Sequence, residues 1–475
     1  MKTIFRLFIA VLVSVSASSC GAWLEVEPQN DITLEDYWKS EKDIRLALNQ
    51  CYSQLRGQVN TLFLWGDLRG DFVVDGASNH GDYLDYERVL RLEILDNNSL
   101  SKWGGIYKVI NYANNVIKYA PGVRSSDLTL GKKELNAYLS EAYFLRSLSY
   151  FYLVRTFKDV PLQLEPTDTD DVNVVLPKST EEEVLAQIVT DLEWAERYIP
   201  RRYADPDLNR GFATQAAVQA LLADVYLWME DYDKCIEKCD KIINRSDYVL
   251  VEFWRDIFAE GNTIESIFEL PYDVARGEKS PLKNVFIKDG AEVLSASTEV
   301  GELFTDRDIR KINTLILREG EDNYTIVKPL LVSNVEDANW IVYRYAEVLL
   351  MKAEALVQKD QYFEAQLILE EIRERAELDV RVIPSNREVA EDIILEERGM
   401  ELAFEGKRWF DLLRMAKRNN YQRKEKLIDL MTKGVDPGSV PKWRSLLTDP
   451  MSHYMPIHRD ELLSNPNLTQ NPYYD

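Results

Sequence analysis

The sequence predicts a mainly α-helical chain in which paired helices carry a loop-rich lobe with short strands. Three observations predict it. Apolar residues recur every three or four positions along most of the 475 residues, the spacing of helices with one buried face. Two distant segments, QALLADVYLWMEDYDKCIEKCDKII and EVLLMKAEALVQKDQYFEAQLILEEI, read as helix–turn–helix pairs of one pattern. Between them, and again from Leu62, stretches rich in Gly, Asp and aromatic residues interrupt the helical spacing.

The first element is a leader. Lys2 and Arg6 form a short basic region ahead of an apolar run, LFIAVLVSV, at 7–15. A spanning helix needs about 20 apolar residues, so this run reads as the core of a signal peptide covering 1–19. Ala17, Ser18 and Ser19 then lead into Cys20. That order resembles the bacterial lipoprotein box, in which the thiol is acylated and the leader is cut just before it. The alternative is an ordinary secretory signal cut near Ser19. One acyl chain anchors only marginally, at about 0.8 kcal/mol per buried CH₂, and a second chain makes the tether stable.

The elements of the body follow in order. SEKDIRLALNQCYSQLRG, at 40–57, places Ile44, Leu48, Cys51 and Leu55 on one face, with Gly57 to stop the helix. LFLWGDLRGDFVVDGASNHGDYLDYERV, from Leu62, reads as loop with short strands. WGGIYKVINYANNVIKYAPG opens a second helix that Pro121 and Gly122 should end. KKELNAYLSEAYFLRSLSYFYLVRTF, at 132–157, is a long and largely buried helix, and a Pro-punctuated extended connection follows it. Thr180 and Glu183 make a capping box. The acidic run 181–183 is therefore a helix N-terminus favoured by the macrodipole, not a metal site. ESIFELPYD, at 265–273, is the clearest strand, and YTIVKPLLV a weaker one.

Charge and cysteine usage exclude several functions. The formal net charge is −23, so the body repels nucleic acid and anionic lipid headgroups alike. Cys51, Cys235 and Cys239 form no disulfide framework. His80, His453 and His458 cluster with none of them in sequence, so no metal and no cofactor is expected. G-x-S-x-G, H-E-x-x-H and P-loop patterns are missing from the sequence. With eighty acidic residues, carboxylate pairs occur by chance and do not argue for a glycosidase. The expected activity is binding, not catalysis.

The two helix pairs resemble tetratricopeptide repeats. Ala223 and Ala353 are small residues of the first helices, and Cys235 and Ala365 of the second, with Tyr232 and Tyr362 expected in the turns. Cys239 falls where that motif takes a bulky residue. Further segments resemble the SusD/RagB family of outer-membrane nutrient-binding lipoproteins of Bacteroidota, in the family's order. They are WLEVEPQN after Cys20, WGGIYKVINYANNVI, SEAYFLRSLSYFYLVRTFKDVPL, ESIFELPY, YRYAEVLLMKAEAL, ILEERGMELAFEGKRWFDLLRMAK and YMPIHRDELLSNPNLTQNPYY. Met415, His458 and Tyr473 stand where the family more often has other residues. The resemblance implies a SusD-like fold, with regions 20–220 and 221–475 forming one compact unit.

It also implies a role. Such a protein sits on the cell surface by its lipid, captures an oligosaccharide or an oligopeptide, and acts as the lid of a SusC-type TonB-dependent transporter. Sugar faces stack on aromatic rings while Asp, Asn and Arg bond the hydroxyls. The stretch from 65 to 86 combines Trp65, Arg69, Asp71, Asp75, Asn79, Tyr83 and Tyr86, with Trp103 near in sequence; these are the candidate ligand-binding residues, and Cys20 is the lipidation site. Arg69 and Asp71 could equally pair with each other. Arg408 and Asp411, three apart, are placed for an intrahelical pair. EGKRWFD reads as a structural lock between the last helix and the repeats.

Overall fold

The computed structural model describes residues 37–76, 83–167, 175–205, 208–288, 291–317, 323–332 and 335–475. The leader, Cys20 and Asn79 lie outside the described residues. Helix α1 (Glu41–Arg56) buries Ile44, Leu48, Cys51 and Leu55, the face its spacing predicts. Gly57 ends it, but in a right-handed conformation, and the chain re-enters a helix at once. This α2 (Val59–Asp67) replaces the loop expected from Leu62. Leu62, Phe63, Leu64 and Trp65 are consecutive and all buried. A helix buried all round carries no amphipathic signal, which is why its spacing read as irregular.

The chain then makes a short strand, β1 (Val73–Asp75), and helix α3 (Leu84–Leu90). Helix α4 (Gly104–Ser126) runs through Pro121 instead of ending there. Pro121 and Gly122 are exposed, and the turn beyond them buries Val123 completely, which holds the last turn to the core. Helix α5 (Lys132–Phe157) matches its expected bounds. In α6 (Glu181–Tyr198) the Thr180 hydroxyl accepts from the Glu183 N–H, and the Glu183 carboxylate accepts from the Thr180 N–H, as a capping box requires.

The two repeat-like pairs are α7 (Gln215–Trp228) with α8 (Tyr232–Ile243), and, after an insertion, α9 (Tyr345–Gln358) with α10 (Tyr362–Arg375). Tyr232 and Tyr362 begin the second helices, one step beyond the turns. Ala223, Ala353, Cys235 and Ala365 are fully buried where the pairs close. Although the insertion separates the pairs in sequence, α8 packs directly on α9. The Cys235 thiol donates to the Met351 carbonyl across that joint, and Lys352 reaches Asp240 at 2.6 Å. Helices α4 to α10 thus form one continuous stack.

The insertion builds the strand-bearing lobe. Strand β2 (Ser266–Leu270) pairs antiparallel with the strand that feeds α9, Trp340–Arg344, through a bulge at Phe268. A second sheet orders β1, Leu294–Ala296, Tyr324–Ile326 and Leu315–Leu317, all antiparallel. Its first strand comes from the N-terminal region, so the lobe is shared between both halves of the chain. After α10 come α11 (Arg387–Glu401), α12 (Arg408–Tyr421), α13 (Lys424–Thr432) and α14 (Val440–Thr448), the last two facing β1. Among the described residues no helix is long and apolar enough to cross a membrane.

Candidate functional site

The site is assembled around the end of α2. Asp67, fully buried, accepts the backbone N–H groups of Gly406, Lys407 and Arg408 at 2.9, 3.2 and 3.0 Å. The two backbones meet through glycines: a Cβ on Gly66 would lie 1.8 Å from the Gly406 carbonyl oxygen, and Gly406 itself has φ +75°. Burial pushes the Asp67 carboxyl up to about 6, against the pull of those three amides. Arg408 then reaches Asp71 with two bonds, Nε at 2.7 Å and Nη2 at 2.8 Å, and lies over the Phe72 ring.

This arrangement corrects two expected pairs. Arg408 does not pair with Asp411. Asp411 instead holds Arg398 and Arg414, both at 2.7 Å, and these guanidinia overcome its burial to keep it at about 2. Nor does Arg69 pair with Asp71. The Arg69 guanidinium lies 4.5 Å over the Trp409 ring and donates to the Ser452 and His453 carbonyls, both at 2.6 Å. EGKRWFD is therefore a lock, as expected, and what it fastens includes α2 and the C-terminal segment. Lys407 completes it toward the repeats by donating to the Val342 carbonyl at 2.6 Å and pairing with Glu347 of α9 at 3.0 Å.

A cleft of ≈ 460 Å³ opens beside the lock, between β1, the turn after α3 and the helices α13 and α14. Val73, Val89, Leu92 and Met431 give it an apolar floor. Asp75, Glu299, Asp436 and the Glu93–Lys442 ion pair stand on its rim, with the half-buried Trp443 as its aromatic wall. Burial and the neighbouring Glu87 raise the Asp75 carboxyl, while the bond to Lys442 lowers that of Glu93. Glu299 lies against Gly434, where a Cβ would come within 2.4 Å of its Oε1. Among the described residues no group of three His, Cys, Asp or Glu side chains is arranged to hold a metal.

Three of the candidate residues, Arg69, Asp71 and Asp75, line this cleft. Of these, only Asp75 is exposed; Arg69 and Asp71 shape the wall through the bonds above. Tyr83, just ahead of α3, and Tyr86 on it form a half-buried ring pair, 5.2 Å between centroids, and the same helix supplies Val89 to the cleft. Trp65 belongs to the core, where its Nε1 donates to the Leu100 carbonyl and its ring meets the Phe157 ring edge-on. Trp103 is also buried, and lines a separate pocket of ≈ 150 Å³ with Tyr107, Gln163, Glu461 and Asn465. The residues sequence reasoning missed are Trp443, Glu299 and Asp436. The only signal for Asp436 and Trp443 was the turn TKGVDPGSV leading into the Trp-bearing helix VPKWRSLLT, Glu299 lay in a separate stretch with no such signal, and nothing local shows that the helix faces β1.

Comparison with known proteins places this architecture. A family described as "SusD family" matches residues 331–474, and one described as "Starch-binding associating with outer membrane" matches residues 22–227. The chain is 28% identical to SusD-like protein P38 of Formosa agariphila, over 88% of this chain and 93% of that protein. A SusD superfamily protein from Bacteroides vulgatus superposes with a TM-score of 0.77 at 23% identity, over 92% of this chain and all of the other. Surface glycan-binding protein A from Bacteroides uniformis gives a TM-score of 0.76 at 24% identity, over 91% of this chain and all of the other. Between them the two family models cover most of the chain, and together with the SusD-like relatives they show that the chain belongs to the SusD family.

Proposed function

We propose that the protein is a surface lipoprotein, acylated at Cys20, that captures oligosaccharides and delivers them as a lid to a SusC-type TonB-dependent outer-membrane transporter. The observation that carries this reading is the cleft beside the lock. Its volume of ≈ 460 Å³ falls in the ~300–1,000 Å³ range of small-ligand sites. It offers one aromatic face, Trp443, against which the C–H face of a sugar can stack, and rim carboxylates that accept hydrogen bonds from hydroxyls. The family descriptions, starch binding and association with an outer membrane, support the same reading.

Capture requires no bond to break. Ligand selectivity rests on stacking and hydrogen bonds, and retention at the cell surface on the acyl chains. The test is isothermal titration of the protein from Cys20 onward against a panel of oligosaccharides, beside a panel of oligopeptides. Trp443→Ala should weaken binding of any glycan found by about 10-fold or more, the ~1–1.5 kcal/mol of a lost aromatic contact together with its buried area. Cys20→Ala should move the protein from the membrane fraction to the soluble one, and pull-down of the acylated form should recover a large β-barrel. A peptide that binds where no glycan does would replace the oligosaccharide in this reading.

A further inference from the structure

The cleft carries more negative charge than its own ion pairs cancel. Of its charged groups, Glu93 is neutralised by Lys442, and Asp71 by Arg408. Arg91 lines the cleft 3.6 Å from Glu87 and partly offsets Asp75 as well, and Arg69 is buried against Trp409 and the C-terminal carbonyls. Three carboxylates are left over: Asp75 at the end of β1, Glu299 in the first turn of the helix Thr298–Leu303, and Asp436 in the turn between α13 and α14. None of the three makes an ion pair among the described residues. They come from three separate elements and border one space, beside Trp443.

We infer that this cleft selects an uncharged, hydroxyl-rich stretch of glycan and rejects glycans that carry carboxylate or sulfate groups. The inference rests on the capture reading above and adds the chemical class of its ligand. Ionised carboxylates accept hydrogen bonds and donate none. Their complement is therefore a dense set of donors, which sugar hydroxyls provide. A uronate or a sulfate ester in the same place offers acceptors only, and adds like charge at close range, which costs several kcal/mol when it is desolvated. The surrounding protein strengthens the bias, since its net charge of −23 repels an anionic polymer before contact. Burial first, and then Glu87 just outside the cleft, raises the Asp75 carboxyl against the pull of Arg91. Gly434 is part of the device: with no side chain there, the Glu299 carboxylate can lie across the base of α13.

Affinity electrophoresis and titration calorimetry test this with named polymers. Soluble starch, laminarin and mannan serve as neutral probes, and alginate and polygalacturonate as anionic ones, in buffer of about 50 mM salt, where charge effects reach beyond 10 Å. The expected result is retardation by at least one neutral polymer, with every anionic one bound about tenfold more weakly or not at all. Raising the salt should narrow that gap. The variant Asp75→Asn/Glu299→Gln/Asp436→Asn should narrow it as well, by losing affinity for the neutral polymer and gaining it for the anionic ones. All three side chains are at the surface or half-buried and make no ion pair, and the amides can keep the backbone hydrogen bond that Asp436 accepts from Gly438, so the variant should keep its fold, which circular dichroism would verify. Binding of alginate or polygalacturonate as tight as that of the best neutral polymer overturns the charge inference and leaves capture intact. A lysine-rich peptide that displaces the neutral polymer overturns its uncharged, hydroxyl-rich specificity. No binding to any polymer overturns the capture reading itself.

Discussion

The helix stack and the strand-bearing lobe are held together by different physics. In the stack, contacts between neighbours are made largely by small and apolar residues: Ala223, Ala353 and Ala365 are fully buried, and charge enters as pairs such as Arg146–Asp191 at 2.8 Å or as a cluster at the edge, Glu196 with Lys238 and Lys241. Where the lobe meets the stack, the join is a buried network. Arg344 contacts Glu265, Glu401 and Glu405, and Arg310 contacts Asp308, Glu397 and Glu401; neither guanidinium is exposed. Arg375 bonds Glu265 and Glu401, Arg373 bonds Glu397, and Lys328 bonds Glu405. Five cations thus face five carboxylates. A stack of similar helices can rest on a repeated apolar face, but an insertion docks once, in one orientation. Directional, mutually satisfied charges define such a docking more sharply than non-directional burial does.

The sharpest way to break the comparison is to remove one member of the network. Arg344→Met should cost at least about 3–5 kcal/mol, because three carboxylates then lose a buried counter-charge. Urea denaturation would measure it. If the lobe docks by charge, the loss should appear as early melting of the lobe, read by Trp254 and Trp340 fluorescence, ahead of the helical signal. Coincident transitions at wild-type stability would show that the network is incidental to the join.

The two aspartates of the lock sharpen the comparison further, through opposite pH slopes. Asp411 sits at about 2, below its usual 3.8, so its stabilisation is present above pH 3.8 and is lost as pH falls through 2. Asp67 sits at about 6, so its contribution is complete below pH 3.8 and is lost as pH rises through 6. Across each window the effect is about 2–3 kcal/mol at 1.36 kcal/mol per unit. The gap in stability between wild type and Asp411→Asn should therefore close toward acid, while the gap for Asp67→Asn should widen between pH 7 and 4. Urea midpoints at matched pH check both, since titrations common to wild type and variant cancel. Slopes of the same sign would mean that backbone amides and guanidinia act alike on these carboxyls.

The same division explains what the sequence could tell. Helices α1, α5 and α6 were legible because their signals are local: apolar spacing in α1, length in α5, and Thr180 with Glu183 in α6. The repeat pairs were legible for the same reason, though their direct contact was not. The site depended on partners far apart. Asp67 and Gly406 are 339 residues apart, and Arg69 reaches His453 across 384. No pattern within a window could show that Asp71 would take Arg408, or that Trp443 would close the cleft that Asp75 begins. Trp65 misled because an aromatic residue near a polar loop looks the same whether it faces ligand or core. Only the helical state of α2, hidden by its burial on all sides, settles that for Trp65.

A milder test targets the stack alone. Ala353→Leu inserts three carbons where two helix pairs close, and should cost about 1–3 kcal/mol through overpacking. The cost should not depend on salt or on pH between 5 and 8, in contrast to the lobe variants. A strong salt dependence would mean that the Lys352–Asp240 and Lys359–Asp233 pairs at this joint carry its stability, and not the small residues.

The smallest expected effect asks whether stack and lock are independent. Thr180→Ala removes the cap of α6 and should cost about 1 kcal/mol. The next residue, Glu181, is buried, accepts from Trp228 Nε1 at 2.6 Å, and pairs with Lys417 of α12. The N-terminus of a stack helix is thus tied to the lock helix through one carboxylate. If fraying of α6 stays local, Thr180→Ala and Asp411→Asn will add within about 0.5 kcal/mol, as distant sites do. If the frayed turn lets Glu181 go, α12 loosens as well, and the double variant will be less stable than the sum. The coupling energy, measured by a double-mutant cycle at pH 7, then reports how firmly the stack holds the lock beside the cleft.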